Sequence, residues 1–267
     1  MFKKLTIYVY AALMAALVAW QIVMVALAPP TSVGKPLMID LKTGPLTLLV
    51  FPSHQQETQA VILFGSGDGG WSDFEESISR AFQDQGFEVV GIDSHAYARV
   101  DYDLDTLQSD FTHIARSVLA PFGDHPPALI LGGYSMGAAQ AIAAAGGAHP
   151  PPGLIGLLVI DPLSRGRYGL RVSDQIDVLP NGPGTFAVDS FSHTLGTLRV
   201  VQWHADQDSI DSRSWLDSLT APHKTYTFPN TGHYYTTARD EFLRQLLESA
   251  RWIVDPNTSA TLTEKQN

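Results

Sequence analysis

The sequence predicts an α/β protein, a mainly parallel sheet with helices on both faces, preceded by an N-terminal transmembrane helix. Three observations carry this. From residue 60 onward, short apolar runs alternate with longer helical segments, as in parallel strands buried on both faces. Two strand-like runs before them, "PLMIDLKT" and "LTLLVF", add an antiparallel edge. A 24-residue apolar run, Leu5 to Ala28, broken only by Thr6 and Gln21, meets the roughly 20 residues that a bilayer core demands.

In chain order, Lys3 and Lys4 precede the apolar run and would hold the N-terminus in the cytoplasm, leaving the rest outside the inner membrane. Ala26-Leu27-Ala28 offers a signal-peptidase-like site, but the run exceeds the roughly 7–15 residues of a signal peptide, so the reading is an uncleaved anchor over 1–30. The α/β domain would fill 31–254. Its hairpin is expected to turn at Gly44-Pro45. "AVILF" (60–64) leads to a helix near 72–85, "EVVGI" (88–92) to one near 105–120, and "ALILGG" (128–133) to one near 136–146. "LIGLLVI" (154–160), "LRVVQWH" (198–204) and "KTYTF" (224–228) follow, with a last helix near 237–253. A further helix, "SRSWLDSL", would be capped by Asp211. Residues 161–195, rich in Gly, Pro and Ser, are too long for an ordinary connection. They leave the strand ends where ligands bind in such sheets, as a lid or a surface excursion. The polar tail 255–267 is expected to add nothing to the fold.

The formal charge is −10, with no cysteine in 267 residues. Thiolate catalysis, disulfides and cysteine zinc sites are excluded, and the acidic balance argues against nucleic acid as a partner. With Lys3 and Lys4 set aside, 15 basic residues face 27 acidic ones, a balance of −12. The histidines lack metal-ligand spacing, so no metal and no cofactor are expected.

The chemistry concentrates at "GYSMG", where the strand ending at Gly133 meets the helix beginning at Met136. A serine at such a strained turn is presented as a nucleophile, and the flanking glycines let strand and helix approach. Ser135 needs a base, and the base an orienting acid. In the Ser, acid, His order of an α/β-hydrolase fold, His233 follows the last strand, and the acid comes from "ADQD" after "LRVVQWH". Asp208 is the first choice and Asp206 the second. The oxyanion donors would be the N–H groups of Met136 and Asp68, with Gly67 as the fallback. Gly67, Trp71, Tyr134 and His95 are candidate substrate contacts. The loop "FGSGDGGW" could also suggest phosphate binding, but no Gly-Lys-Ser/Thr follows and Asp68 would repel phosphate.

"SGDGGW" (66–71), "VVGIDS" (89–94), "GGYSMGA" (132–138) and "GH" (232–233) together resemble the VirJ/AcvB bacterial virulence proteins over roughly 60–250. The resemblance implies a periplasmic serine hydrolase with Ser135 as nucleophile and His233 as base. It also implies an aminoacylated phospholipid, such as lysyl-phosphatidylglycerol, as substrate. One departure is His95-Ala96-Tyr97, where the family tends to carry leucine and arginine before the tyrosine; headgroup preference could differ there. A general carboxylesterase and a non-catalytic periplasmic chaperone or binding module linked to secretion are the competing readings.

Overall fold

The computed structural model describes residues 34–175, 178–208, 213–255 and 257. The Leu5–Ala28 run, Asp211 and nearly all of the tail lie outside them. Among the described residues no helix is long and apolar enough to cross a membrane.

Ten strands are described: β1 (Lys35–Leu41), β2 (Gly44–Phe51), β3 (Ala60–Gly65), β4 (Glu88–Ile92), β5 (Ala128–Tyr134), β6 (Leu154–Ile160), β7 (Arg165–Arg167), β8 (Thr185–Ala187), β9 (Arg199–Ala205) and β10 (His223–Phe228). The helices are α1 (Asp73–Asp84), the short α2 (Ser94–Tyr97), α3 (Leu104–Leu119), α4 (Met136–Gly146) and α5 (Arg239–Val254). Eight strands form one sheet in the order β1-β2-β4-β3-β5-β6-β9-β10. From β4 to β10 neighbouring strands run parallel; β1 and β2 pair antiparallel at one edge. β7 and β8 make a separate ribbon.

Period-two alternation splits each central strand between two cores. Val61, Leu63, Leu129, Leu131, Leu157 and Val159 face the cluster that holds α3 and α4. Ile62, Phe64, Ile130, Leu158 and Ile160 face the one built on α1 and α5. Strands buried on both faces cannot read as alternating apolar and polar residues, which is why they appear in the sequence as continuous runs. Every residue of α4 is buried, and it is made of Ala, Gly, Ile, Met and one Gln. The Gln140 amide finds its partner in the Tyr102 hydroxyl at 2.8 Å.

Two local expectations are corrected. The hairpin turns at Lys42-Thr43, and Gly44 and Pro45 already belong to β2. The cause is long-range. The buried Asp110 carboxylate on α3 accepts from the Lys42 and Thr43 backbone N–H groups and the Thr43 hydroxyl, at 2.8, 3.3 and 3.0 Å. "SRSWLDSL" forms only a short 3-10 turn, Ser214–Ser218.

Candidate active site

The parallel strands end along one edge of the sheet, and each ends close to a polar group of the site. Asp68 follows β3, Ser135 follows β5, Asp161 follows β6, Asp208 follows β9 and His233 follows β10. This is the edge at which open parallel sheets bind ligands.

Ser135 sits at φ 52°, ψ −113°, a left-handed conformation that costs a side-chain-bearing residue of order 1–3 kcal/mol. Its neighbours hold it there. The Ser135 N–H donates to Ile160 O at 2.9 Å and the Gly137 N–H to Ser66 O at 3.0 Å. The glycines are required by contact: a Cβ on Gly137 would lie 2.4 Å from the Gly65 backbone, and one on Gly133 would lie 2.4 Å from the Gly137 carbonyl carbon. β3, β5 and α4 can meet only without those carbons. The result aims the N-terminus of α4 at the cavity, with the Met136 N–H in its first turn.

His233 Nδ1 is hydrogen-bonded to Asp208 Oδ2. That leaves Nε2 as the ring nitrogen for a reacting group. Tyr134 supports the ring from the residue before Ser135: the centroids are 4.5 Å apart, and the Tyr134 hydroxyl donates to the His233 carbonyl at 3.3 Å. Burial pushes the imidazole pKa down, but the Asp208 hydrogen bond and the charges of Asp208, Asp161 and Asp68 outweigh it and raise it above 6.5. Asp206 has a different task. Its Oδ1 accepts from the Thr231 N–H at 3.1 Å and so ties down the loop that carries His233. Asp161 joins the cluster unforeseen. It is fully buried, and its Oδ2 lies 3.7 Å from His233 Nδ1. The ligand-capable atoms of Asp161, Asp208 and His233 fall within 4.8 Å of one another; with Nδ1 engaged by Asp208, the set is a hydrogen-bonded carboxylate–imidazole relay.

Ser135, Met136, Tyr134, His233, Asp68 and Gly67 line one cavity of about 400 Å³. The Gly67 N–H is turned away, donating to Glu75 Oε1 at 3.3 Å, which leaves Asp68 as the better second donor. Glu75 also closes the capping box of α1 with Ser72, and burial raises its pKa against those hydrogen bonds. The insertion supplies the opposite wall through Leu163, Arg167, Leu170, Leu179 and Pro180. Arg167 clamps that wall, donating to Asp174 at 2.7 Å and to the Pro183 and Asn181 carbonyls at 2.9 and 2.8 Å.

Two expected substrate contacts lie elsewhere. Trp71 does not line the cavity. Its ring fills the space above Gly91, where a Cβ would meet it at 2.3 Å, and stacks near Phe51. His95 is also outside the lining; its Nδ1 lies 2.6 Å from the Asp68 carbonyl and steadies the loop that presents the Asp68 N–H.

Residues 59–146 match the family model of the bacterial virulence protein VirJ. Protein phosphatase methylesterase 1 of Rattus norvegicus is 31% identical over 131 residues, 46% of this chain and 32% of that protein. The chain thus spans about a third of the length of the curated relatives it matches. A thermostable carboxyl esterase from Bacillus coagulans superposes with a TM-score of 0.63 at 14% identity, over 84% of this chain and all of that one. An α/β serine hydrolase without a lid from Xanthomonas campestris gives 0.57 at 21%, over 84% and 95%. These structures share the fold, an α/β-hydrolase sheet. The chain thus has an α/β-hydrolase fold, and over 59–146, which takes in the glycine-rich loop after β3 and the Ser135 turn, it is similar to the VirJ family.

Proposed function

We propose that the protein is a serine esterase with Ser135 as nucleophile, His233 as general base and Asp208 as the acid that orients it. The observation that carries this is the strained Ser135 turn sharing one cavity with an imidazole whose Nδ1 is held by a carboxylate. Ser135 Oγ attacks the ester carbonyl carbon while His233 Nε2 takes its proton. The developing oxyanion is met by the Met136 and Asp68 N–H groups. The ester C–O bond breaks, the alcohol leaves with the proton from His233, and water then hydrolyses the acyl-enzyme by the same route.

The substrate in this proposal is an aminoacylated phospholipid such as lysyl-phosphatidylglycerol, cleaved at its aminoacyl ester on the periplasmic face of the inner membrane. Three features support it: the Leu5–Ala28 run would hold the domain at that surface, the −12 balance favours a cationic acyl group, and the cavity pairs Asp68 with an apolar lid wall. Purified full-length protein in detergent micelles should release free lysine from lysyl-phosphatidylglycerol, and Ser135→Ala should release none. A simple carboxylesterase is the second reading, favoured by the 131-residue likeness to a methylesterase. Rapid cleavage of soluble methyl esters with no lysine release would select it. If Ser135 resists a fluorophosphonate while the chain is folded, the protein is a binding module instead.

A further inference from the structure

We propose that Asp161 is a second positioning carboxylate for His233, sharing with Asp208 the task of holding the imidazole and stabilising its protonated form. The inference rests on the serine-esterase reading of the site. It starts from where β6 stops. The chain leaves Ile160, and at the next residue the backbone turns to φ 44°, a conformation that Asp tolerates better than most residues. The Asp161 N–H donates to Trp203 O at 3.0 Å, continuing the β6–β9 ladder by one residue. Its carboxylate then points across the strand ends. Oδ1 accepts from the Ala205 N–H at 2.9 Å, at the last residue of β9. Oδ2 reaches His233 Nδ1 at 3.7 Å. The side chain is therefore fixed by a backbone donor on one oxygen while the other faces the imidazole.

The two acids differ in mounting. Asp208 stands in the loop three residues past β9, whereas Asp161 abuts the sheet itself. A buried anion is costly unless an opposite charge or donors compensate it. The imidazolium formed during turnover supplies that charge at 3.7 Å. The other groups around His233 are Asp68 from the loop after β3, Tyr134 at the end of β5 and the neighbouring Tyr234. Of these, Tyr134 reaches the His233 carbonyl.

The functional consequence is partial redundancy. In a triad with a single acid, its loss costs about 10⁴-fold in turnover. Here Asp208→Ala should cost only about 10²-fold, because Asp161 still disfavours the wrong tautomer and stabilises the cation. Asp161→Asn preserves the acceptor for the Ala205 N–H and removes the charge, so the fold should survive it. The double variant should lose far more than the product of the two single losses.

The test uses full-length protein and two readouts that need no natural substrate. The first is the His233 imidazole titration by NMR in wild type, Asp161→Asn, Asp208→Ala and the double variant. The expected result is a lower midpoint in Asp161→Asn than in wild type, and a further fall when Asp161→Asn is added to Asp208→Ala. The second is the pH profile of fluorophosphonate labelling at Ser135, whose acid limb should move with the NMR midpoint. An unmoved His233 midpoint in Asp161→Asn overturns the proposal. So does an Asp208→Ala labelling rate that falls by the full factor of about 10⁴ of a triad with a single acid, which remains readable even if Asp161→Asn does not fold. Absence of labelling in folded wild type would overturn the esterase reading instead, which keeps the two failures distinct.

Discussion

At the scale of single residues, the site is built from groups whose backbone or protonation state departs from the ordinary. Ser135→Ala should reduce ester hydrolysis by several orders of magnitude with the melting temperature held, since members of such a relay act as a unit; full activity would end the nucleophile assignment. His233 must be neutral to accept a proton, and its pKa is raised above 6.5. kcat/KM should therefore fall as pH drops through a midpoint above 6.5. The stability linkage runs the other way. The protonated imidazole stabilises the fold fully below the unfolded-state value, and that contribution is lost as pH rises through the higher folded-state midpoint. Activity should be gained over the same range in which this part of the stability disappears, which paired rate and denaturation profiles would show. The gathering of Ser135, Asp208 and His233 at one sheet edge was legible because each follows the end of a strand in the sequence. Asp161 was not. It closes an apolar run and opens a Gly- and Pro-rich insertion, and no local pattern says that the loop after β10, 72 residues further on, will bring His233 to it. Trp71 misled for a related reason. An aromatic beside three glycines looks like a ligand platform until its partner, Gly91, is known to lack the carbon that would occupy its place.

Among the elements, loops are fixed by acids on other segments, which is where sequence reading is weakest. The strand and helix order was legible from apolar runs, because burial on both faces writes a continuous signal. The hairpin turn was not, since Asp110 on α3 selects Lys42-Thr43 over the Gly44-Pro45 pair that local propensity favours. Asp110→Ala would leave those N–H groups and the Tyr97 hydroxyl, 3.2 Å away, without this acceptor. A loss of about 1–3 kcal/mol is expected, since only the Tyr97 hydroxyl among these donors is fully buried. Urea denaturation would measure it, with faster hydrogen exchange at Lys42 and Thr43. The His233 loop depends on Asp206 in the same way. Asp206→Ala should loosen it and lower kcat, yet by much less than the Asp161/Asp208 double substitution; the reverse ranking would make Asp206 the orienting acid. In the insertion, Arg167→Ala should unclamp the cavity wall and raise KM more than it lowers kcat.

For the molecule as a whole, one sheet edge collects five polar residues from five different strand ends, so function depends on the register of the entire parallel sheet. An acidic protein acting on a cationic ester should bind it less well as salt screens the attraction. KM for a lysyl lipid should rise between low and physiological ionic strength, while KM for a neutral acyl ester should stay level. The meeting of Gly65, Gly133 and Gly137 carries a consequence of another kind. These glycines and Ser135 meet at one turn, yet selection would act on them through different currencies. Among all single substitutions scored by how much protein accumulates in cells, changes at Gly133 and Gly137 should deplete the protein, because the added carbon has only backbone to displace. Ser135→Gly, which relieves a positive φ, should accumulate at least as well as the native chain and do nothing. A variant library of this protein would therefore carry its own internal label for chemistry: the position beside two intolerant glycines at which abundance and activity part company.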